Sequence, residues 1–515
     1  MLLKNQQTTK RTFRVSRKYP KILRNRKRRI TRRLQPRAWP EQEQPMFAGS
    51  NIHYEMADKT QATGCGGIGA IHLLSQKIGL VERLNEKVSV LKRHLPYHES
   101  DHILNVAYNI MAGGVRLEDI ELRRQDECFL NGLGAQRLPD PTTAGDFTRR
   151  FAPSDIGDLM DAINAARQRV WQQQPEGFLA RAVLDIDGTI AGTLGQCKGG
   201  MDLSYKGIWG YAPLIVSLAN TKEVLYLVNR PGNAASHEGA GPWIDRAIEL
   251  VKPHSRQIHL RGDTDFSLTW KFDEWDQAGV TFTFGMDAHP KLVQEAESLS
   301  EAMWRCLARA EREIMTQPRE RPENVKEQIV HERGYLNRRL ESEQVAEFSY
   351  QPVKCQKSYR VVVLRKNLSV ERGEQALLEE IRYFFYITNR TDLEWDQVVQ
   401  DANERCDQEN VVAQLKHGIN AMRMPVNDLN SNWAYMVMAA LAWNLKAWFG
   451  LMVPNRERGL ELVKMEFRSF LGAVMLLPAQ IVRAWRKIIY RLLSYNGWLK
   501  DVFATWERLR RLKAA

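Results

Sequence analysis

A succession of short apolar segments between residues 180 and 290 constrains the fold more than any other feature of this chain. Ala182-Val183-Leu184-Asp185-Ile186-Asp187 reads as a strand, and Leu214 to Leu218 and Val224 to Val228 read as two more. A helical period covers Trp243 to Val251, a strand runs from Ile258 to Arg261, a helix from Leu268 to Ala278, and a last strand from Val280 to Phe284. Three consecutive strands followed by helix, strand, helix and strand predict an α/β core: a mixed sheet with helices on its faces.

The flanks read differently. Residues 66–172 carry apolar positions at helical spacing, such as Ile103, Val106, Ala107, Ile110 and Met111 before Gly113-Gly114. Pro139-Asp140-Pro141-Thr142-Thr143 breaks the pattern, and Asp146 to Phe151 is expected to start a short basic helix presenting Arg149 and Arg150 to phosphate. Residues 291–345 are strongly charged and expected to be helical. Tyr359 to Leu364 and Ile381 to Ile387 look β-like, and Trp395 to Met422 reads as one long helix. Near the C-terminus, Arg483, Arg486, Lys487 and Arg491 oppose Trp485, Ile488, Ile489 and Leu492, as on a basic amphipathic helix.

The charge of +13 over 515 residues is unevenly spread. Residues 1–40 hold 15 Lys/Arg and no acid, and residues 481–515 hold 9 against 2 acids, so the middle of the chain is net acidic. Basic ends around an acidic centre suit a polyanion partner attracted at long range. Six scattered cysteines without a paired CxxC argue against a zinc site or a disulfide framework and fit a reducing compartment. Apolar runs end too early to span a bilayer, as at Lys446, so a cytoplasmic, nucleoid-associated protein is expected.

Three acidic elements stand out. Asp187 ends the first strand and precedes Gly188-Thr189, with Asp185 on the same strand face but deeper. His259-Leu260-Arg261-Gly262-Asp263 repeats the arrangement, and ligands of α/β sheets bind at such strand ends. Two strand-end carboxylates on adjacent strands could share Mg²⁺, a hard cation that prefers oxygen ligands. On the late helix Arg405, Glu409 and Lys416 lie on one face at i, i+4 and i+11, a pattern that taken alone an ordinary solvated helix shares. Trp209, Trp243 and Trp270 could stack on an unpaired base, although core packing explains each of them better, and loop residues His237 and Glu238 could approach DNA or metal, although loop polarity explains them at least as well.

Taken in order, Asp187-Gly188-Thr189, Leu260-Arg261-Gly262-Asp263 and Arg405-x3-Glu409-x6-Lys416 resemble the DDE transposases of bacterial insertion sequences. The resemblance is to the branch with a Y-(2)-R-(3)-E-(6)-K signature, whose tyrosine position is Ala402 here. Tyr97 to His102, Leu117 to Glu121, Pro141 to Phe147 and Arg230-Pro231-Gly232-Asn233 extend it over roughly 95–450. It implies an RNase H-like mixed sheet with a β-containing insertion at about 291–380, and the interval from Asp263 to Glu409, nearly twice that from Asp187 to Asp263, has room for one.

The resemblance further implies that Asp187, Asp263 and Glu409 are catalytic and hold two Mg²⁺, with Mn²⁺ as an alternative, about 3.5–4 Å apart. Arg405 and Lys416 would contact phosphate. The expected organisation is a basic arm (1–45), a helical DNA-binding domain (46–175), a catalytic core (176–450) and a basic helical tail (451–515). The expected function is cleavage and strand transfer at the ends of an insertion sequence. The partners are double-stranded DNA, both element ends and target, and a second copy of the chain in the working complex. A metal-dependent nuclease without strand transfer, or a non-catalytic DNA-binding descendant, would share most of these features.

Overall fold

The computed structural model describes residues 18–35, 52–195, 197–307, 336–372, 375–484 and 487–513. Most of the basic arm, part of the charged segment after residue 307, and Trp485 and Arg486 lie outside the described residues. The chain forms two compact units.

The first unit comprises residues 1–176, 195–200 and 413–515 and is mainly helical. Its centre is the 24-residue helix Leu429–Met452, buried on every side from Ser431 onward because it is apolar all round. Asp428 caps its start by accepting from the Ser431 N–H at 2.8 Å. Helices α2 (Glu99–Met111) and α4 (Pro153–Trp171) pack on it. The Pro139 to Thr143 break becomes the start of α3 (Pro141–Thr148): Pro141 takes the first turn and Asp140 accepts from the Thr143 N–H at 2.9 Å. Contrary to expectation, Arg149 and Arg150 close that helix rather than open another, because Pro153 starts the next one.

The basic segment contributes helix α1 (Lys18–Leu34). Arg26 Nη1 donates to Leu492 O at 2.9 Å and Ser494 O at 3.1 Å, and Tyr19 stacks on Phe503 with centroids 4.9 Å apart. Arg24, Lys27, Arg28 and Arg32 remain exposed. Near the C-terminus the expected amphipathic helix is instead a hairpin of strands Ala479–Ala484 and Lys487–Leu492. Ile481, Val482, Ile488 and Ile489 are β-branched, and side-chain crowding within a helix favours the strand for such a run.

Lys446 interrupts the central helix's apolar surface and is fully buried. Its Nζ donates to Val463 O at 2.8 Å and lies 3.8 Å from the centre of the Trp443 ring. Burial pushes its ammonium down to about 7. A lysine depressed in the folded state binds fewer protons than in the unfolded chain, so stability rises between about pH 7 and its ordinary value. Lys446→Met is expected to flatten that rise and to stabilise the unit at pH 7 by about 1–3 kcal/mol. Thermal unfolding of both proteins at pH 7 and pH 9.5 checks this, and parallel pH profiles would contradict it. No helix among the described residues is long and apolar enough to cross a membrane.

The second unit comprises residues 177–194 and 201–412. It holds a nine-stranded mixed sheet: β1 (Arg181–Gly188), β2 (Leu214–Leu218), β3 (Glu223–Val228), β4 (Gln257–Gly262), β5 (Val280–Met286), β6 (Arg305–Cys306), β7 (Leu336–Tyr350), β8 (Tyr359–Arg372) and β9 (Gln375–Thr388). Their order is β6-β7-β8-β9-β5-β4-β1-β2-β3. β1 is an inner strand, parallel to β4 and antiparallel to β2, and its near-continuous burial matches its apolar sequence. α5 (Ala240–Val251) crosses from β3 to β4. α6 (Thr269–Gln277) leads into β5, with Phe272 stacked on Phe282 at 4.4 Å.

Residues 336–345, expected to be helical, form the start of β7. Pairing with β8 along its whole length overrides the helical preference of its charged residues. The long helix expected from Trp395 to Met422 is divided into α7 (Trp395–Glu404), α8 (Cys406–Ala413) and a wide turn, Gln414–Gly418. α7 seats Val398 and Val399 in an apolar cluster with Val345, Val362 and Leu364 of the β7–β8 pair.

Candidate active site

β1 and β4 run parallel in register, Asp185 beside Arg261 and Ile186 beside Gly262, so Asp187 and Asp263 emerge side by side where the pairing ends. Asp187 is 9% exposed and Asp263 partly buried. Asp263 turns the chain by accepting from the Asp265 N–H at 3.1 Å. Gly262 permits the tight exit, since a Cβ there would meet Phe284 at 2.8 Å.

Glu409 comes from α8. Two contacts hold that helix to the sheet side of the unit: Gln408 accepts a hydrogen bond from buried Ser217 of β2, and Asp407 pairs with Lys222 at 2.6 Å. With Gln408 turned inward, Glu409 stands on the exposed face. Arg405, between α7 and α8, donates from Nη1 to Asp187 Oδ2 at 3.3 Å. Asp187, Asp263, Glu409 and Arg405 therefore gather in one unit. Lys416 falls in the wide turn after α8 and belongs to the first unit, as do Arg149 and Arg150. Arg149 pairs with Asp146 one turn earlier.

Burial raises both acids of β1, and their hydrogen-bond partners separate them. Asp185 is 1% exposed and its carboxylate is gripped by the Arg261 fork, Nε to Oδ1 at 2.8 Å and Nη2 to Oδ2 at 3.1 Å. Burial pushes Asp187 up to about 6, against the pull of Arg405 and with the neighbouring carboxylates of Asp263 and Glu409 adding to the rise. Asp263 is also raised, chiefly by burial. Asp187, with Asp263 and Glu409 near enough to disfavour its ionisation, belongs to a hard, all-oxygen donor set that a divalent cation would relieve. These carboxylates do not close into a single-ion cage: among the described residues no trio including them has its ligand atoms within 4.8 Å.

An acid raised in the folded state keeps its proton to higher pH than in the unfolded chain, so the metal-free fold loses stability as pH rises from the ordinary carboxylate range to about 6. Asp187→Asn is accordingly expected to stabilise the metal-free protein at pH 7.5 by about 1–3 kcal/mol. The same change should remove most of any stabilisation by Mn²⁺. Melting curves with EDTA or Mn²⁺ test both expectations, and an unchanged Mn²⁺ response would contradict the assignment of Asp187.

A buried network behind the site escaped the sequence reading. His259 Nε2 hydrogen bonds Asp401 Oδ2 at 2.6 Å, and Arg181 reaches Asp401 Oδ1 at 3.3 Å. Arg261 Nη1 donates to Asp401 O at 3.2 Å and to Glu404 at 3.1 Å. Despite its burial, the His259 hydrogen bond and the surrounding cations hold Asp401 well below the usual carboxylate range. These contacts fasten α7 to β1 and β4 and so set where Arg405 lies. The available signal was the placement of His259 and Arg261 on alternate positions of an otherwise apolar strand.

Arg230, in the motif Arg230-Pro231-Gly232-Asn233, is likewise inward: Nε donates to Ala212 O at 2.9 Å, and Nη1 to Ser236 O and Glu238 O at 2.8 Å. It shapes the loop that carries exposed His237 and Glu238, and both Arg230 and Ser236 lie close to Gly188. Trp243 packs against Arg246, whose guanidinium is 4.6 Å from its ring centre, while Trp209 and Trp270 are 38% and 51% exposed.

Two strand-end aspartates and a helical glutamate stand together in an α/β unit beside an arginine, the arrangement that the DDE resemblance implies. The family comparison agrees: residues 49–514 match the model for the transposase DDE domain group 1, and the chain belongs to that family of transposases. Transposases of this family use divalent metal ions. Among solved structures the chain is similar to the piggyBac transposase in a cryo-EM synaptic complex with hairpin DNA, at 13% identity and a TM-score of 0.37, over 81% of this chain and 84% of that one. Comparison with curated proteins gives no match.

Proposed function

We propose that this transposase acts on the ends of an insertion sequence, cutting and joining DNA strands by metal-dependent phosphoryl transfer on an RNase H-like core. The observation that carries the proposal is the meeting of Asp187 and Asp263 at adjacent strand ends, with Glu409 close enough to raise Asp187 and Arg405 tied to it. Asp187, Asp263 and Glu409 would hold two Mg²⁺ or Mn²⁺ ions; when bound, these lower the pKa of the attacking hydroxyl and offset charge on the phosphate and the departing oxygen. Asp185 is committed to Arg261 and takes no part. Arg405 holds the approaching phosphate by charge-assisted hydrogen bonds. Asp187 is ionised and competent to bind cations above about pH 6.

The grip on DNA is assigned to residues 1–175, with Arg149, Arg150 and the exposed cations of α1 as phosphate contacts, assisted by 451–515; the chemistry is assigned to 176–450. Acting on two ends at once calls for a homodimer. The test is incubation of the purified chain with Mg²⁺ and labelled DNA carrying the flanks of its own gene. Nicks at the element boundary followed by joining to a second duplex are expected. Cutting without joining would leave a nuclease, and binding without cutting a DNA-binding relic.

A further inference from the structure

We propose that the first unit carries a separate transition-metal site, built from His94, His98 and Glu99 and taking Zn²⁺. Among the described residues these three are the one group whose potential ligand atoms all lie within 4.8 Å of one another. Glu99 is the first residue of α2 and is 2% exposed. Its Oε1 accepts from the Leu91 N–H at 3.1 Å, which orients the carboxylate as outer-shell contacts orient metal ligands. Its Oε2 lies 3.0 Å from His94 Nε2. The His98 ring stacks on His94 with centroids 4.3 Å apart.

The donor chemistry selects the ion. Two imidazoles and one carboxylate suit Zn²⁺ and its transition-metal neighbours, whereas Mg²⁺ prefers oxygen alone. Ligand atoms bound at about 2.0–2.2 Å in tetrahedral geometry stand roughly 3.3–3.5 Å apart. The His94–Glu99 separation of 3.0 Å is thus within a few tenths of an ångström of what Zn²⁺ needs in place of the shared proton. The His94 side chain is 46% exposed, which gives the ion an entry path and leaves room for water as fourth ligand.

Residues 88–98 have no helix or strand of their own, and α2 packs on the central helix of the unit. The ion would fasten this segment to the start of α2, coupling zinc to the order of the helical unit. It would act apart from the Mg²⁺ chemistry of the acidic site.

Zn²⁺ titration of the EDTA-stripped full-length chain by calorimetry, in excess Mg²⁺, tests the proposal. One Zn²⁺ per chain is expected in the wild type and in Asp187→Asn/Asp263→Asn. Binding should be weakened at least about tenfold in His98→Ala and in His94→Ala/His98→Ala, which alter exposed rings. Amide exchange of residues 88–98 should slow with Zn²⁺ in the wild type and the aspartate variant, and not in the histidine variants. A measurement without variants runs alongside: Co²⁺ in the wild type should give the strong visible bands of a tetrahedral site. Equal Zn²⁺ affinity in wild type and histidine variants, loss of binding only in the aspartate variant, or a weak octahedral Co²⁺ spectrum would overturn the proposal.

Discussion

Alanine at Asp187, Asp263 or Glu409 should abolish strand joining, by about 10³-fold or more, while leaving DNA affinity within a few-fold of the wild type. The scale follows from removing a group that organises charge around the transferring phosphate. The separation of effects follows from location, since the expected DNA grip rests on cations elsewhere in the chain, and deleting an acid does not remove them. Asp185→Asn provides the contrast. Its carboxylate is already spent on Arg261, so the change should lower stability more than joining per folded molecule. Joining assays normalised to folded protein check this. Equal loss from Asp185→Asn and Asp187→Asn would show that register had been misassigned.

The second large effect concerns the network beneath the acids. Arg261→Leu should destabilise the second unit by about 3–5 kcal/mol, because it strands the buried Asp185 carboxylate without a counter-charge. It also releases the Asp401 carbonyl and Glu404, so α7 should loosen and joining should fall in the protein that remains folded. Arg261→Leu/Asp185→Leu should recover much of the stability without recovering activity. Denaturant unfolding of single and double variants measures the first part. A loss below about 1 kcal/mol for Arg261→Leu would contradict the account of the network.

How far these features could be read beforehand depends on which physical rule governs each. The sheet strands were legible because their apolar runs are short and end in Asp or Gly turns, and the same runs delivered Asp187 and Asp263. Glu409 was legible only as part of a spaced pattern, because its helix exposes charge on the same face as any surface helix. The role of Arg261 was hidden, since nothing in a strand's sequence tells which buried cation meets which buried anion across the sheet. The 479–492 hairpin and the start of β7 were missed for a common reason: period alone does not separate a charged strand from a helix, and the pairing partner decides. The break at Arg405 within the expected long helix turned out to matter, since it brings that side chain to Asp187.

The central claim is that Asp187, Asp263 and Glu409 together hold the metal ions that act on DNA. The most direct measurement is anomalous diffraction from crystals of the chain with its terminal DNA, soaked in Mn²⁺. Two peaks about 4 Å apart, coordinated by these three carboxylates and the scissile phosphate, are predicted. Peaks on Asp185, or none between the three carboxylates in crystals that hold ordered DNA ends, would contradict it.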